Sequence, residues 1–306
     1  MQVIDRIRDK GGKLILFESF TGGLVAPESD NNLWNYKFTW NPRNVVVAGQ
    51  GGGAAKFLQE NTYKYISYNR VFRRTEFLEV DGYGRFEAYA NRDSLKYQSV
   101  YGLDDAKTLY RGTMRRVGFS RAWQVFVQLG MTDDSYHIAD SENMSYRDFV
   151  NAFLPYSPTD SVEIKFRHAL KIDQDDVVWD KFLELDLFSK TKMVEVKNAT
   201  PAQILQKILM DTWTLDEDDK DMIVMYHKFG YELNGENHQI DATMVTIGED
   251  QTYTAMAKTV GLPVAIAALA ILNEKFTTPG VQIPIRKEIY DPILKELEEY
   301  DIHFKV

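Results

Sequence analysis

The chain has 306 residues, a formal net charge of −9 and no cysteine. Its length allows one large core or two moderate ones, and the missing cysteine excludes disulfides, thiolate zinc sites and cysteine nucleophiles. The acidic balance, with a pI near 5.2, argues against broad nucleic-acid binding, which needs a basic surface to neutralise phosphates, so any anion site must be local.

Val3, Ile4 and Ile7 at helical spacing predict a helix over residues 1–12 that stops at Gly11 and Gly12. The same residues mix charge with apolar groups, unlike a secretory or transit segment, and make a cytoplasmic address the default expectation. Residues 13–20 (KLILFESF) and 36–40 (YKFTW) are expected to be strands on either side of a loop. Residues 45–54 spell an apparent strand, a Gly-x-Gly-x-x-Ala turn and a helix start, the order of a dinucleotide-binding turn. That fingerprint also needs an acidic residue about 20 positions on, where this sequence offers Arg70, Arg73 and Arg74. We therefore read the run as a glycine-rich junction.

Further strands are expected at TYKYISY, RFEAYAN and TLYRGTMRR, with Gly82 and Gly84 marking turns. Helices follow: residues 120–130 with a cap residue in front and Gly130 behind, then capping boxes at Ser145 with Asp148 and at Thr200-Pro201 with Gln203. Asn234-Gly235 between two alternating runs predicts a long hairpin over residues 221–247. Residues 253–272 should form a helix whose apolar run, 260–272, falls short of the roughly 20 residues of a membrane span and is expected to be buried. Asp291-Pro292 should cap the last helix. No internal repeat is visible.

Arginines crowd between residues 70 and 121, among them Arg70, Arg85, Arg92, Arg111, Arg115, Arg116 and Arg121. Many of these will be solvated groups in weak surface pairs. Arg92 and Arg115 stand beside small or hydroxyl residues that let a ligand approach, and a guanidinium takes carboxylates bidentately, so a small polyanion is the expected ligand. The five histidines show no metal-ligand spacing. His227, among apolar residues, is expected to be a hydrogen-bonded core histidine. No nucleophile elbow or phosphate loop is present, and the acidic runs are expected to be solvated helix ends.

The segments FESFTGGLVAPESDNNLWNYKFTW, EAYANRDS, LYRGTMRRVGF, MIVMYHKFGYEL, YTAMAKTVGLPVA and TPGVQIPIRKEIYDPILKELEEY resemble, in order, the saccharopine dehydrogenase (saccharopine reductase) family. The resemblance implies an α+β fold: a mixed-sheet substrate-binding domain over residues 1–120 and 217–306, with an all-helical subdomain inserted at 121–216. The Rossmann domain with which the family opens is absent from this chain, and with it the aspartate of the reaction centre and most of the cofactor site. What the family does is amine oxidoreduction, passing hydride between NADP or NAD and the carbon–nitrogen bond of saccharopine in lysine metabolism.

Carried onto this sequence, the resemblance makes Arg92 and the stretch Gly112, Thr113, Met114 and Arg115 the saccharopine contacts. Trp40 and Asn41 are the candidates beside the nicotinamide. The expected partner is saccharopine or a similar small polycarboxylate amino acid, with no nucleic acid and no membrane, in an assembly compatible with a homodimer. The other reading of the same features is a non-catalytic amino-acid-binding or regulatory protein that keeps the saccharopine site.

Overall fold

Val3, Ile4 and Ile7 form the buried face of α1, Gln2–Asp9, and Gly11 at φ +80° turns the chain away as only glycine does at low cost. The computed structural model describes residues 1–48 and 53–306. Strand β1, Lys13–Val25, runs far beyond the expected stretch. After a short helix α2, Pro42–Val46, come β2, Ala55–Gln59, β3, Thr62–Ile66, β4, Thr75–Val80, β5, Gly84–Ala90, and β6, Thr108–Arg116. Five helices follow: α3, Phe119–Leu129, α4, Tyr146–Ala152, α5, Val162–Leu170, α6, Val177–Glu184, and α7, Pro201–Trp213. The predicted hairpin is β7, Asp221–Leu233, and β8, Glu236–Ile247. Both turn residues, Asn234 and Gly235, have positive φ, as a two-residue primed turn requires. Helices α8, Ala255–Leu272, and α9, Lys287–Leu297, complete the chain.

The strands form one 8-stranded mixed sheet in the order β3-β2-β6-β1-β7-β8, with β5 and then β4 attached to β6. β1 lies at its centre, parallel to β6 and antiparallel to β7. The two halves of β6 have different neighbours on the side away from β1. Leu109 pairs with Leu58 of β2, whereas Gly112 to Arg116 pair with β5. Between these pairings the sheet splits, and loop groups take up the backbone of Arg111. Its N–H donates to Ser94 Oγ at 3.0 Å, and its carbonyl accepts from Asn91 N at 2.8 Å.

Several expectations are corrected. Residues 36–40 lie outside the sheet, with a bend at residues 39–40, because Tyr36 and Phe38 turn their rings into an aromatic cluster around Trp213 and Phe38 N donates to Trp213 O. Around the glycine run, helix α2 precedes and strand β2 follows, the reverse of a nucleotide-binding turn; Gly49, Gln50, Gly51 and Gly52 lie outside the described residues. Ser120 sits inside α3, whose N-cap is Gly118, and the Glu87 carboxylate on β5 accepts from Gly118 N at 2.9 Å and Ser120 N at 2.5 Å. The capping boxes at Ser145 and Thr200 form as expected. α9 starts one turn early, at Lys287, and carries Pro292 inside it.

α8 is not a buried helix. It rests on the sheet through Ala255, Ile266 and Ala270 and leaves Val260, Val264, Leu269, Ile271 and Leu272 exposed. By length and composition it is the one helix among the described residues able to cross a membrane, and 17% of it is buried.

Candidate functional site

Side chains alternate along a strand, so Arg111, Thr113 and Arg115 of β6 share one face, and Tyr110, Gly112 and Met114 the other. The first set lines a cavity of about 290 Å³ at the split in the sheet, together with Trp40, Tyr89, Asn91, Arg92, Lys96 and Tyr97. Four of its lining residues are cationic, namely Arg92, Lys96, Arg111 and Arg115, and none is acidic. In a protein of net charge −9 this is a local concentration of positive potential.

Arg115 is the innermost cation, 6% exposed. Its guanidinium lies over the rings of Tyr36 at 4.9 Å, Phe119 at 5.3 Å and Tyr89 at 6.0 Å, stacking that an arginine tolerates when dehydrated. One terminal nitrogen donates to Met114 O at 2.8 Å, and Nε is buried without a partner. No ion pair to it is found among the described residues. Its cross-strand register partner, the buried Glu87, accepts from Gly118 N and Ser120 N instead. A buried guanidinium with spare donors is costly, and an anionic ligand in the cavity offsets that cost. Burial also pushes the Tyr36 phenol up, so it stays a neutral wall.

Arg92 sits where β5 ends, in the left-handed conformation at φ +48°, uncommon for a residue with a side chain. Its carbonyl accepts from Lys56 N at 2.8 Å, which holds the turn, and its side chain is exposed at the cavity rim. Asp93, next in the chain, is occupied by Lys56 at 3.3 Å. At the same rim the Arg111 guanidinium lies 4.4 Å from the Tyr97 ring centre and the Lys96 ammonium 5.1 Å from it.

The structure thus brings Arg92, Thr113, Arg115 and Trp40 to one cavity. Gly112 and Met114 face away. A Cβ on Gly112 would sit 2.6 Å from the Phe20 ring, and the Met114 side chain is fully buried. Asn41 accepts from Asn44 N as the cap of α2 and does not line the cavity. Among the other arginines, Arg116 donates to Tyr83 O and Arg121 pairs with Asp176. Arg111, Lys96 and Tyr97 also line this cavity and were not singled out from the sequence. Alternation along β6 was the available signal for Arg111.

Trp40, Asn91, Thr113 and Arg115 also border a second cavity, of about 820 Å³, walled by Ile223, Met225, His227 and Met244 of the hairpin and by Met256 and Leu297. His227 was expected to be hydrogen-bonded. Instead its Nδ1 is buried without a partner and its ring stacks on Phe304 at 5.1 Å. Burial, followed by the nearby N-terminal ammonium, pushes its imidazole down to about 4. No cluster of metal-ligating side chains occurs among the described residues.

The family model described as the saccharopine dehydrogenase C-terminal domain matches residues 1–302. The saccharopine dehydrogenase [NADP(+), L-glutamate-forming] of Saccharomyces cerevisiae is 32% identical, over all of this chain and 69% of its own length. The mitochondrial alpha-aminoadipic semialdehyde synthase of Rattus norvegicus is also 32% identical, over 99% of this chain and 33% of its own. A solved structure of the apo L-Glu-forming saccharopine dehydrogenase from S. cerevisiae superposes with a TM-score of 0.87 at 31% identity, across 99% of this chain and 69% of that one. A mixed sheet with helices, matched along its whole length by these relatives, places the chain plainly: it belongs to the saccharopine dehydrogenase family, through the match of its residues 1–302 to that family's C-terminal domain.

Proposed function

We propose that this chain is the substrate-binding portion of a nicotinamide-dependent saccharopine dehydrogenase, and that the cavity at the split of β6 holds the carboxylates of saccharopine. The observation that carries this reading is the buried Arg115 guanidinium, with an unpartnered Nε and no ion pair among the described residues, in a cavity whose described lining holds three further cations and no acid. Saccharopine joins glutamate to the side chain of lysine through a secondary amine and carries three carboxylates, so its charge complements the cavity.

In this reading the chain's residues bind and orient. Arg115 fixes one carboxylate in a partly dehydrated pocket, Arg92 meets another at the rim, and Thr113 between them offers a hydroxyl. Holding the amine still relative to a hydride acceptor supplies the entropic part of catalysis. Trp40, 49% exposed and bordering both cavities, fits the role of a flat apolar support for a nicotinamide ring, whose chemistry when bound is to accept or return that hydride. Asn41, engaged in capping α2, suits this role less.

Calorimetric titration of the chain with saccharopine tests the reading. We expect binding, weakened about 30-fold or more by Arg115→Met, the scale of leaving a buried charge unpaired, and less by Arg92→Met because Arg92 is exposed. Arg70→Ala, on an exposed side chain outside the cavity, serves as the unaffected control. If saccharopine binds no better than a neutral amino acid, the assignment fails.

A further inference from the structure

Two cations share one ring at the rim of the cavity. The Arg111 guanidinium and the Lys96 ammonium lie 4.4 Å and 5.1 Å from the centre of Tyr97, with Arg92 beside them in the lining. Such charges repel unless an anion lies between them. The nearest carboxylate in sequence, Asp93, is turned to Lys56. At the other end of the same strand face stands Arg115, among Tyr36, Tyr89 and Phe119, its register partner Glu87 being taken up by Gly118 N and Ser120 N.

The strand itself sets the distance between these ends. Arg111 and Arg115 are four residues apart on β6, so their Cα atoms are separated by roughly 13 Å at the usual strand rise. In saccharopine the lysyl carboxylate carbon and the glutamyl side-chain carboxylate carbon are about ten bonds apart, roughly 12 Å at the rise of an extended chain. Glutamate alone spans about four bonds, roughly 5 Å on the same scale, less than half the separation of the two Cα atoms.

The charges also differ between the ends. The glutamyl head of saccharopine carries two carboxylates on the carbon chain of the bridging amine and stays net negative even when that amine is protonated, whereas its lysyl end, one carboxylate beside an ammonium, is net neutral. A cluster of three cations repels that ammonium and suits the paired carboxylates. The Arg115 end has a single cation, and Tyr89 lines the cavity there, an aromatic residue of the kind that attracts a neighbouring cation. Resting on the substrate-binding reading above, we propose that Arg111 and Lys96, braced on Tyr97, take the side-chain carboxylate of the glutamyl head, that Arg92 takes its α-carboxylate, and that Arg115 takes the lysyl carboxylate. β6 then acts as a ruler that selects a long polycarboxylate and fixes which way round it lies.

Calorimetry with three ligands tests this: saccharopine, N6-(1-carboxypropyl)-L-lysine, which lacks the glutamyl side-chain carboxylate, and N-(5-aminopentyl)-L-glutamate, which lacks the lysyl carboxylate and keeps both of the head. Arg111→Met should weaken saccharopine about tenfold or more, the scale of a charge-assisted hydrogen bond, and leave the carboxypropyl compound within about twofold. Lys96→Met should act in the same direction, and because Lys96 is exposed it serves as the variant least able to disturb folding. Arg115→Met should weaken saccharopine and the carboxypropyl compound while sparing the aminopentyl compound. Arg111→Lys should recover part of the loss, since the charge remains without the planar fork. Equal losses for saccharopine and the carboxypropyl compound in Arg111→Met, or a pattern exchanged between the two ends, overturn the subsite while the substrate reading stands. Absence of saccharopine binding by the unaltered chain overturns both.

Discussion

At the scale of single residues, the aromatic and titratable groups around the second cavity make a pH dependence that can be separated from substrate binding. His227 is buried with Nδ1 unpartnered, and its folded pKa is about 4 against an ordinary 6.5. The folded state therefore holds fewer protons than the unfolded state between those values. Stability is fully present above about pH 6.5 and is lost as pH falls toward 4, because the unfolded imidazole gains a proton that the buried one refuses. The linkage amounts to about 2 kcal/mol between pH 7 and pH 5. Urea denaturation at the two pH values should show this difference in the parent chain and a smaller one in His227→Phe, which extends the stack of Phe17 and Phe304. An unchanged difference would remove His227 as its source.

Elements were legible where a local device sets them. The hairpin follows from Asn234-Gly235 and helices α4 and α7 from their capping boxes, since each is decided within a few residues. Where the deciding contact is distant, local reading failed. Residues 36–40 alternate like a strand because one side meets the aromatic cluster, not because a neighbouring strand exists. The cap of α3 comes from Glu87, more than 30 residues away in the chain. The cavity lining shows the same division: Arg92 and Arg115 were singled out by their small and hydroxyl neighbours and Thr113 by motif resemblance, and Arg111 follows from alternation, whereas Lys96 and Tyr97 reach the cavity only because the loop after β5 folds back against β6.

α8 is the element whose apolar sequence misleads most. Its all-round apolar composition suggests burial, yet only one side meets β7 and β8. Ile266, 5% exposed, and Val264, 66% exposed, should therefore respond differently to truncation. Ile266→Ala should cost about 2 to 4 kcal/mol through lost burial and a cavity. Val264→Ser should change stability by less than about 1 kcal/mol. Chemical denaturation of the two variants compares them directly; equal losses would mean that the outer side of α8 is covered in solution.

Across the whole molecule, sheet and helices share one core: the cluster that contains Phe20, Phe86 and Met114 of the strands continues through Phe119, Phe126 and Trp213 of the helices. The segment carrying Trp34, Tyr36 and Trp40 threads this junction, and a buried ion pair holds it there. Lys37, 2% exposed, pairs with Asp219, itself 10% exposed, and with the exposed Asp216 at 3.2 Å. Asp219 also accepts from Asp216 N at 2.7 Å, so the turn ahead of β7 closes around the lysine. Such a pair contributes little against a well-packed apolar substitute, but removing one partner leaves the other charge buried and costs about 3 to 5 kcal/mol. Lys37→Met should therefore lower the denaturation midpoint strongly. Lys37→Met combined with Asp219→Asn should recover much of the loss, because no buried charge is left uncompensated. Because Trp40 and the Arg115 cage both depend on this segment, Lys37→Met should also weaken saccharopine binding, and the double variant should restore it. If the single variant unfolds at the parent midpoint, the pair does not hold the junction and the position of Trp40 rests on aromatic packing alone.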